Sequence, residues 1–248
     1  MPLRNPDARF QPIMSTSLPI AARRTAALLA ALAVAAPRPA LAQDPFGVLE
    51  NLFSSVNSIV FYTQAAALQS DQHLAGDVAG FALGGVGVEL LLDLPNAGGT
   101  EFELGLGGNV LTGLEATEPS LDLRASIRTL PAVAVYAAGI GVPDDSPIDP
   151  YVGLSFGLAE LWNARGYDQE GNVYPLEAET FELGATAGLY IDRPLPGLYI
   201  EVGYRHRRFG SVAWATESLP AGWPRSLDAS TWQGVIGWQF RLRNDAAE

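Results

Sequence analysis

The chain has 248 residues, a formal net charge of −12 and no cysteine. The acidic balance argues against a nucleic-acid partner, and the lack of cysteine excludes disulfides, thiolate metal sites and thiol nucleophiles. With 48 % hydrophobic residues, 26 glycines and 18 prolines, the composition favours many short apolar elements separated by turns.

The N-terminal segment has the three parts of a secretory signal peptide. Arg23 and Arg24 form a positive region, residues 25–36 are apolar, and Ala40-Leu41-Ala42 supplies the small residues of a cleavage site. The apolar run is too short for a membrane anchor, which needs roughly 20 such residues. We therefore expect cleavage before Gln43.

This interpretation divides the chain into a leader and an exported part. The leader is predicted to be residues 1–42, with Met14 as an alternative start that gives it an ordinary length. Residues flanking Arg23 and Arg24 do not match a twin-arginine signal, so the general secretory pathway is the predicted route. The mature chain is then an N-terminal periplasmic segment (43–55), a barrel (56–242) and a C-terminal tail (243–248).

Alternation of apolar and polar residues dominates the mature chain, and a period of two is typical of β-strands. An even number of strands requires one more at the start of the mature chain. Residues 56–68 are the candidate, although Ala65-Ala66-Ala67 also fits the end of a helix. The other seven strands have their apolar faces within residues 86–92, 102–106, 121–127, 152–158, 181–191, 198–204 and 232–240.

The stretch from 121 to 141 is long for one strand. Pro131 lies in its middle and lacks the N–H group that a strand needs, so it indicates either a bulge within one strand or a turn between two. Apolar Leu121, Leu123, Ala125 and Ile127 are predicted to share the outer face.

The connections between the predicted strands fall into two classes. Connections at 70–78, 163–178 and 211–228 are long, with a short exception at 114–119, whereas those at 94–100, 142–149 and 192–197 are tight turns. Outer-membrane barrels have this asymmetry, with an even number of strands and both termini in the periplasm. The sequence therefore predicts an all-β fold: a closed, up-and-down antiparallel transmembrane β-barrel of eight strands.

A soluble barrel or sandwich is the alternative, and the residues on each face argue against it. The polar faces mix glycine and serine with charges of both signs, as a narrow and neutralised lumen requires. The predicted lumen ion-pair network consists of Glu89, Glu101, Glu103, Asp122, Arg124, Arg128, Glu182, Glu201, Arg205, Arg207 and Arg241. The predicted interfacial aromatics are Trp162, Phe209, Trp214 and Trp232 at the loop end and Trp238 and Phe240 at the periplasmic end.

On these patterns, residues 56–242 resemble the OmpA-like group of eight-stranded outer-membrane β-barrels. That resemblance implies a bacterial outer-membrane location and roles that range from structural tethers and adhesins to small-molecule conduits and lipid-modifying enzymes. The last strand, 237–242, is similar to the aromatic-ended strand that the barrel-insertion machinery recognises, although this chain continues to Glu248.

One cluster suggests chemistry. Residues 204–208 resemble in part the His-x-Ser motif of the lipid A deacylases: His206 matches the histidine, but Arg208 stands at the serine position. Without that hydroxyl the motif has no nucleophile. Alternation instead directs His206 and Arg208 outward, where they would contact lipid headgroups such as lipopolysaccharide phosphates.

The other polar candidates lie in predicted loops and turns. Residues 168–172 are predicted to be a solvated turn because their spacing differs from that of a calcium-binding loop. We expect no metal and no cofactor.

The function indicated is a monomeric outer-membrane barrel with a structural or surface-interaction role. A lipid A deacylase-like hydrolase and a narrow conduit for small solutes are the alternatives. His73, Asp144, Asp145 and Asp149 are interpreted as loop and turn residues.

Overall fold

The computed structural model describes residues 56–68, 82–97, 100–118, 121–139, 142–143, 146–216 and 223–242. The predicted leader and its cleavage site, the segment 43–55, the tail 243–248, and His73, Asp144 and Asp145 lie outside these residues. Among the residues described, no helix is long and apolar enough to cross a membrane.

Eight long antiparallel strands form a closed ring. Each pairs with the next along the chain, and the first pairs with the last, with Phe61 opposite Trp238. The predicted eight-stranded barrel is confirmed, and residues 56–68 are its first strand. The ring consists of β1 (Val56–Leu68), β2 (Ala82–Ala97), β3 (Thr100–Glu118), β4 (Leu121–Ala138), β5 (Ile148–Tyr167), β7 (Glu179–Ile191), β8 (Leu198–Phe209) and β11 (Thr231–Arg241).

Three short strands extend the wall at one end. They are β6 (Val173–Glu177), which pairs with β5, β9 (Ala213–Trp214), which pairs with β6, and β10 (Leu227–Asp228), which pairs with β8. We call this the loop end. The opposite, turn end contains the start of β1, the end of β11 and the connections from β2 to β3, β4 to β5 and β7 to β8.

The apolar faces of the strands point outward. Leu154, Phe181 and Val202 are 70 %, 73 % and 66 % exposed, whereas their polar neighbours Glu182 and Glu201 are buried. A transmembrane barrel requires this arrangement, because its outer surface meets acyl chains while alternate residues fill the interior.

The strand β4 departs from the prediction because it changes faces at a bulge. Its pairing with β5 shifts register between Thr129 and Ala132, next to Pro131. Beyond the bulge, toward the loop end, Ile127 points inward and is completely buried. The prediction that residues 121–127 present their apolar side to lipid was therefore wrong, because the bulge inverts which residues face inward.

The barrel interior is layered. An apolar layer fills the loop end, and a second cluster rich in tyrosine fills the turn end. Charged residues lie between them and are described below. The apolar layer includes Leu83, Leu111, Leu114, Leu123, Ile127, Leu161, Leu176, Phe209 and Leu227.

Candidate functional site

The lumen holds a fully buried arginine. Nε of Arg207 donates to Oε2 of Glu182 at 2.5 Å, and Nη1 donates to the hydroxyl of Thr231 at 2.8 Å. The hydroxyl of Thr129 donates to the same Oε2 at 2.7 Å. A charge removed from water is tolerated when an opposite charge and hydrogen bonds replace the lost hydration, and this cluster supplies both at Nε and Nη1 of Arg207, whereas its buried Nη2 has no hydrogen-bond partner among the described residues.

A second arginine extends the cluster toward the turn end. Nε of Arg205 lies 3.7 Å from Oε1 of Glu182, and its Nη2 lies 3.8 Å from Oε1 of Glu201. Its Nη1 also donates to the hydroxyl of Ser155. Because Glu182, Arg205 and Arg207 alternate on the facing strands β7 and β8, one carboxylate is shared between two guanidinium groups.

Tyrosine hydroxyls donate hydrogen bonds to three other carboxylates in the lumen, of which Glu201 is buried and Glu89 and Glu103 are half-buried. Tyr151 donates to Glu201 at 3.0 Å, and Tyr136 donates to both oxygens of Glu89, at 3.1 and 3.0 Å. Tyr190 donates to Oε2 of Glu103 at 3.2 Å. The tyrosine rings also pack on one another: Tyr151 and Tyr190 are stacked with centroids 4.5 Å apart, and Tyr136 meets Tyr151 edge-on at 5.7 Å. Glutamate and tyrosine together therefore form one packed polar layer.

The polar layer of the described strands encloses a small cavity. A cavity of about 30 Å³ is lined by Glu89, Tyr136, Ser155, Glu201 and Arg205, among others. One water molecule needs roughly 10 to 15 Å³ of such cavity volume, so this cavity has room for about two water molecules.

Not every residue predicted for the lumen lies there. Glu101 and Arg241 are exposed at the turn end. Asp122, Arg124 and Arg128 lie on the outer face of β4, because the bulge at Pro131 reverses its faces, and their assignment to the lumen was wrong. The residues brought together inside are Glu89, Glu103, Glu182, Glu201, Arg205 and Arg207.

The displaced arginines make contacts of their own on the outer surface. Arg124 lies 3.8 Å from Glu115, and both side chains are more than half exposed. Arg128 contacts Glu160 and lies over the ring of Trp162, 5.5 Å from its centroid. Both contacts therefore lie outside the lumen, on the part of the barrel wall between Pro131 and the loop end.

The predicted interfacial aromatics lie in different environments. Trp162, Trp232 and Phe240 are exposed on the outer face, and Trp238 is partly exposed near the turn end. Phe209 is instead completely buried in the apolar layer, because the side chain points inward at the end of β8. The prediction that it lies at the lipid interface was therefore wrong.

Trp214 lies on the short strand β9 at the loop end, where its ring packs on other aromatic side chains. Its ring lies 4.7 Å from that of Trp223, which in turn meets Tyr174 edge-on at 4.8 Å. Its Nε1 donates to the carbonyl of Pro224 at 2.9 Å. The three rings join β6 and β9 to the segment before β10, so the aromatic loop residues pack on one another.

A carboxylate organises the turn between β5 and β6. Oδ1 of Asp168 accepts the backbone N–H groups of Glu170 and Asn172, at 2.9 and 2.8 Å, and Oδ2 accepts the hydroxyl of Tyr174 at 3.0 Å. The side-chain amide of Asn172 donates to the same carboxylate and holds the pKa of Asp168 below its ordinary value. The hydrogen bond that Tyr174 donates to Asp168 has the opposite effect on the tyrosine and raises its pKa. The described part of the chain contains no group of three or more metal-ligating residues.

A serine that the sequence analysis did not single out lies beside His206. The hydroxyl of Ser230 is 3.1 Å from Nδ1 of His206, on the outer face near the loop end. Arg208, two residues further along β8, is exposed and pairs in register with Asp228. Ser230 is 24 residues away along the chain, so only the pairing of β8 with β11 could have indicated the contact.

No protein-family model matches this chain, and no curated protein sequence matches it. Solved structures are similar to it in fold alone. Neisserial surface protein A (NspA) is 12 % identical with a TM-score of 0.43, covering 75 % of this chain and 96 % of its own. Ail, the attachment invasion locus protein of Yersinia pestis, is 13 % identical with a TM-score of 0.41, covering 75 % and 99 %. The outer membrane protein OprG from Pseudomonas aeruginosa is 13 % identical with a TM-score of 0.47, covering 75 % and 97 %.

Proposed function

We propose that this protein is inserted in the bacterial outer membrane and has a structural or surface-interaction role, with a lumen closed to solutes. The observation that carries the proposal is the filled interior, in which the completely buried Arg207 spans the space between Glu182 and Thr231. A pore lined by charged residues needs hydrated side chains, and these are enclosed.

Two consecutive layers support closure. Ions or small solutes entering from the loop end would first meet the apolar layer around Ile127 and Phe209, both completely buried. They would then meet the ion pairs of Arg205 and Arg207 with Glu182. Because eight strands enclose only enough space for their own side chains, closure by filling is the expected state of such a barrel. This argues against the narrow conduit.

The outer surface and the loop end are where contacts with other molecules would occur. The exposed apolar side chains include Val86, Leu154 and Ile236. An open, mainly apolar groove with a volume of about 1000 Å³ is lined by residues of β1, β2, β3 and β11, among others. Acyl chains of outer-membrane lipid would fill it. His206 and Arg208 are exposed at the loop end of this surface, where lipopolysaccharide headgroups would lie.

The described part of the loop end, which includes β6 and β9, offers a packed platform for a surface partner. The rings of Tyr174, Trp214 and Trp223 pack together, and Asp168 fixes the neighbouring turn. A surface ordered before binding loses less conformational entropy when a partner docks.

Two measurements on the purified, refolded protein test this proposal. Folded protein should migrate differently from boiled protein in an SDS gel, because membrane barrels keep their fold in SDS until heated. Planar bilayers containing the folded protein should show no stable conductance steps. Identical migration before and after boiling would overturn the membrane barrel. Reproducible, ion-selective steps that scale with protein concentration would overturn the closed lumen.

A further inference from the structure

The outer face at the loop end carries a serine and a histidine in direct contact. Thr231 pairs with Arg205 across β11 and β8, so the preceding Ser230 comes opposite His206. Its hydroxyl lies 3.1 Å from Nδ1 of His206. A nucleophile within hydrogen-bond distance of a base is the first geometric requirement for covalent hydrolysis.

The serine is held in position from two sides. Its backbone N–H donates to Oδ1 of Asp228 at 3.0 Å, and its Oγ accepts the backbone N–H of Arg207 at 3.2 Å. In this contact Oγ is the acceptor, so its own hydrogen remains for a second bond. When the ring proton of His206 is on Nε2, the hydroxyl of Ser230 can donate that hydrogen to Nδ1. Ser230 is 3 % exposed, whereas His206 is an exposed residue.

The surroundings of the pair indicate the class of substrate. Trp232 and Tyr204 lie next to it toward the turn end on the same outer face, with ring centroids 5.1 Å apart. Leu183 pairs with His206 from the other side and is 60 % exposed. Tryptophan and tyrosine in membrane barrels occupy the level of the lipid headgroups, and the ester bonds of membrane lipids lie at that level.

We infer that Ser230 and His206 form a nucleophile and general-base pair that hydrolyses an acyl ester of an outer-leaflet lipid. Oγ of Ser230 attacks the ester carbonyl while its proton passes to Nδ1 of His206. The tetrahedral intermediate expels the lipid alcohol, which takes that proton, and the acyl group remains on Ser230. A water molecule then attacks this acyl ester, giving up a proton to His206, and the fatty acid leaves as Oγ regains a proton.

Arg208 is the positioning residue in this arrangement. It lies on the same outer face as His206, two residues further toward the loop end, and is exposed. A guanidinium at this level binds a phosphate or carboxylate of the lipid headgroup through charge-assisted hydrogen bonds. It would hold the ester near Ser230 without taking part in the proton transfers.

The test uses a long-chain alkyl fluorophosphonate, which phosphonylates activated serines, on the full-length folded barrel in detergent micelles. We expect one adduct, on the peptide that contains Ser230, and none in Ser230→Ala. His206→Gln should slow labelling by roughly a hundredfold or more, as expected for loss of a general base. Ser211→Ala, which removes an exposed serine near the same end, is the matched control and should label like the unchanged protein.

Each variant is first checked for the folded band in an unboiled SDS gel. Because His206 is exposed, His206→Gln keeps the comparison meaningful if Ser230→Ala does not fold. Absence of an adduct on Ser230 in the folded protein overturns the inference, as does labelling at the same rate in His206→Gln. Neither result bears on closure of the lumen, which is decided by the bilayer recordings.

Discussion

Arg207 and Glu182 form a completely enclosed ion pair in the middle of the barrel, with Nε and Oε2 2.5 Å apart and side chains 0 % and 3 % exposed. The strands β7 and β8 place the two residues directly opposite each other. Pairing in register therefore brings together two charges that neither strand could bury alone.

Replacing Glu182 by glutamine should destabilise the folded barrel strongly. The neutral amide would leave the charge of Arg207 buried without its partner, and breaking such a pair costs about 3–5 kcal/mol. Urea unfolding of the protein in lipid vesicles, followed by tryptophan fluorescence, measures the loss. Glu115→Gln is the matched control: its ion pair with Arg124 is more than half exposed, and such pairs contribute about 0–1 kcal/mol. Equal losses in the two variants would contradict the enclosed pair.

At Gly107 the neighbouring strand is too close to leave room for a side chain. A Cβ at this position would overlap the carbonyl oxygen of Val88 and lie 2.8 Å from Cα of Glu89, both backbone atoms of the neighbouring strand. Gly107→Ala should therefore displace β2 from β3 and cost about 1–3 kcal/mol. A Cβ at Gly234 meets nothing within 4 Å, so Gly234→Ala should fold at least as well as the unchanged protein. The yield of folded barrel in an unboiled SDS gel compares the two, and an unaffected Gly107→Ala would contradict the steric argument.

The barrel could be predicted from the sequence because alternation has a period of two and depends only on which face meets lipid. Inward-facing Glu182, Glu201 and Arg205 follow from that rule. What alternation cannot show is an inserted residue. Gly113, with φ of 94°, and Asn163, with φ of 52°, lie where strand registers shift, and each shift inverts the faces beyond it.

The same limit explains the errors at the loop end. Arg124 and Arg128 have the charge that an ionic lumen needs, yet the bulge at Pro131 directs their side chains outward. Leu123 and Ile127 point inward instead and join the apolar layer. The contact of Ser230 with His206 was beyond local patterns for a different reason. It depends on the register between two strands separated by a long connection, and a single sequence does not fix that register.

The turn held by Asp168 should lose its order in acid. Because hydrogen bonds from Asn172 and Tyr174 lower the pKa of Asp168, its contribution to stability is complete above the unfolded-state pKa of about 3.9 and is lost as the pH falls through the lower folded-state value. Hydrogen exchange of the Glu170 and Asn172 amides, corrected for intrinsic rates, should show protection at about pH 6 and little at about pH 2.

Asp168→Asn is the control for this pH effect. An asparagine there keeps one acceptor oxygen but does not titrate, so the protection of both amides should be weaker and should no longer depend on pH in this range. Unchanged protection of the unaltered protein in acid would show that the carboxylate is not what orders the turn.

A charge placed in the middle of the outer face tests the orientation of the whole barrel. Leu154 is 70 % exposed, is flanked in register by Val135 and Ala185, and lies within the apolar band. Leu154→Arg should cost about 2–4 kcal/mol in lipid vesicles, the penalty for an arginine near the bilayer midplane. Val173→Arg places the same charge on the extension β6, where the 50 % exposed side chain lies beyond the band, and should cost less than about 0.5 kcal/mol. If Leu154 instead faced water, the two variants would unfold at the same urea concentration, because arginine on a hydrated strand loses no solvation.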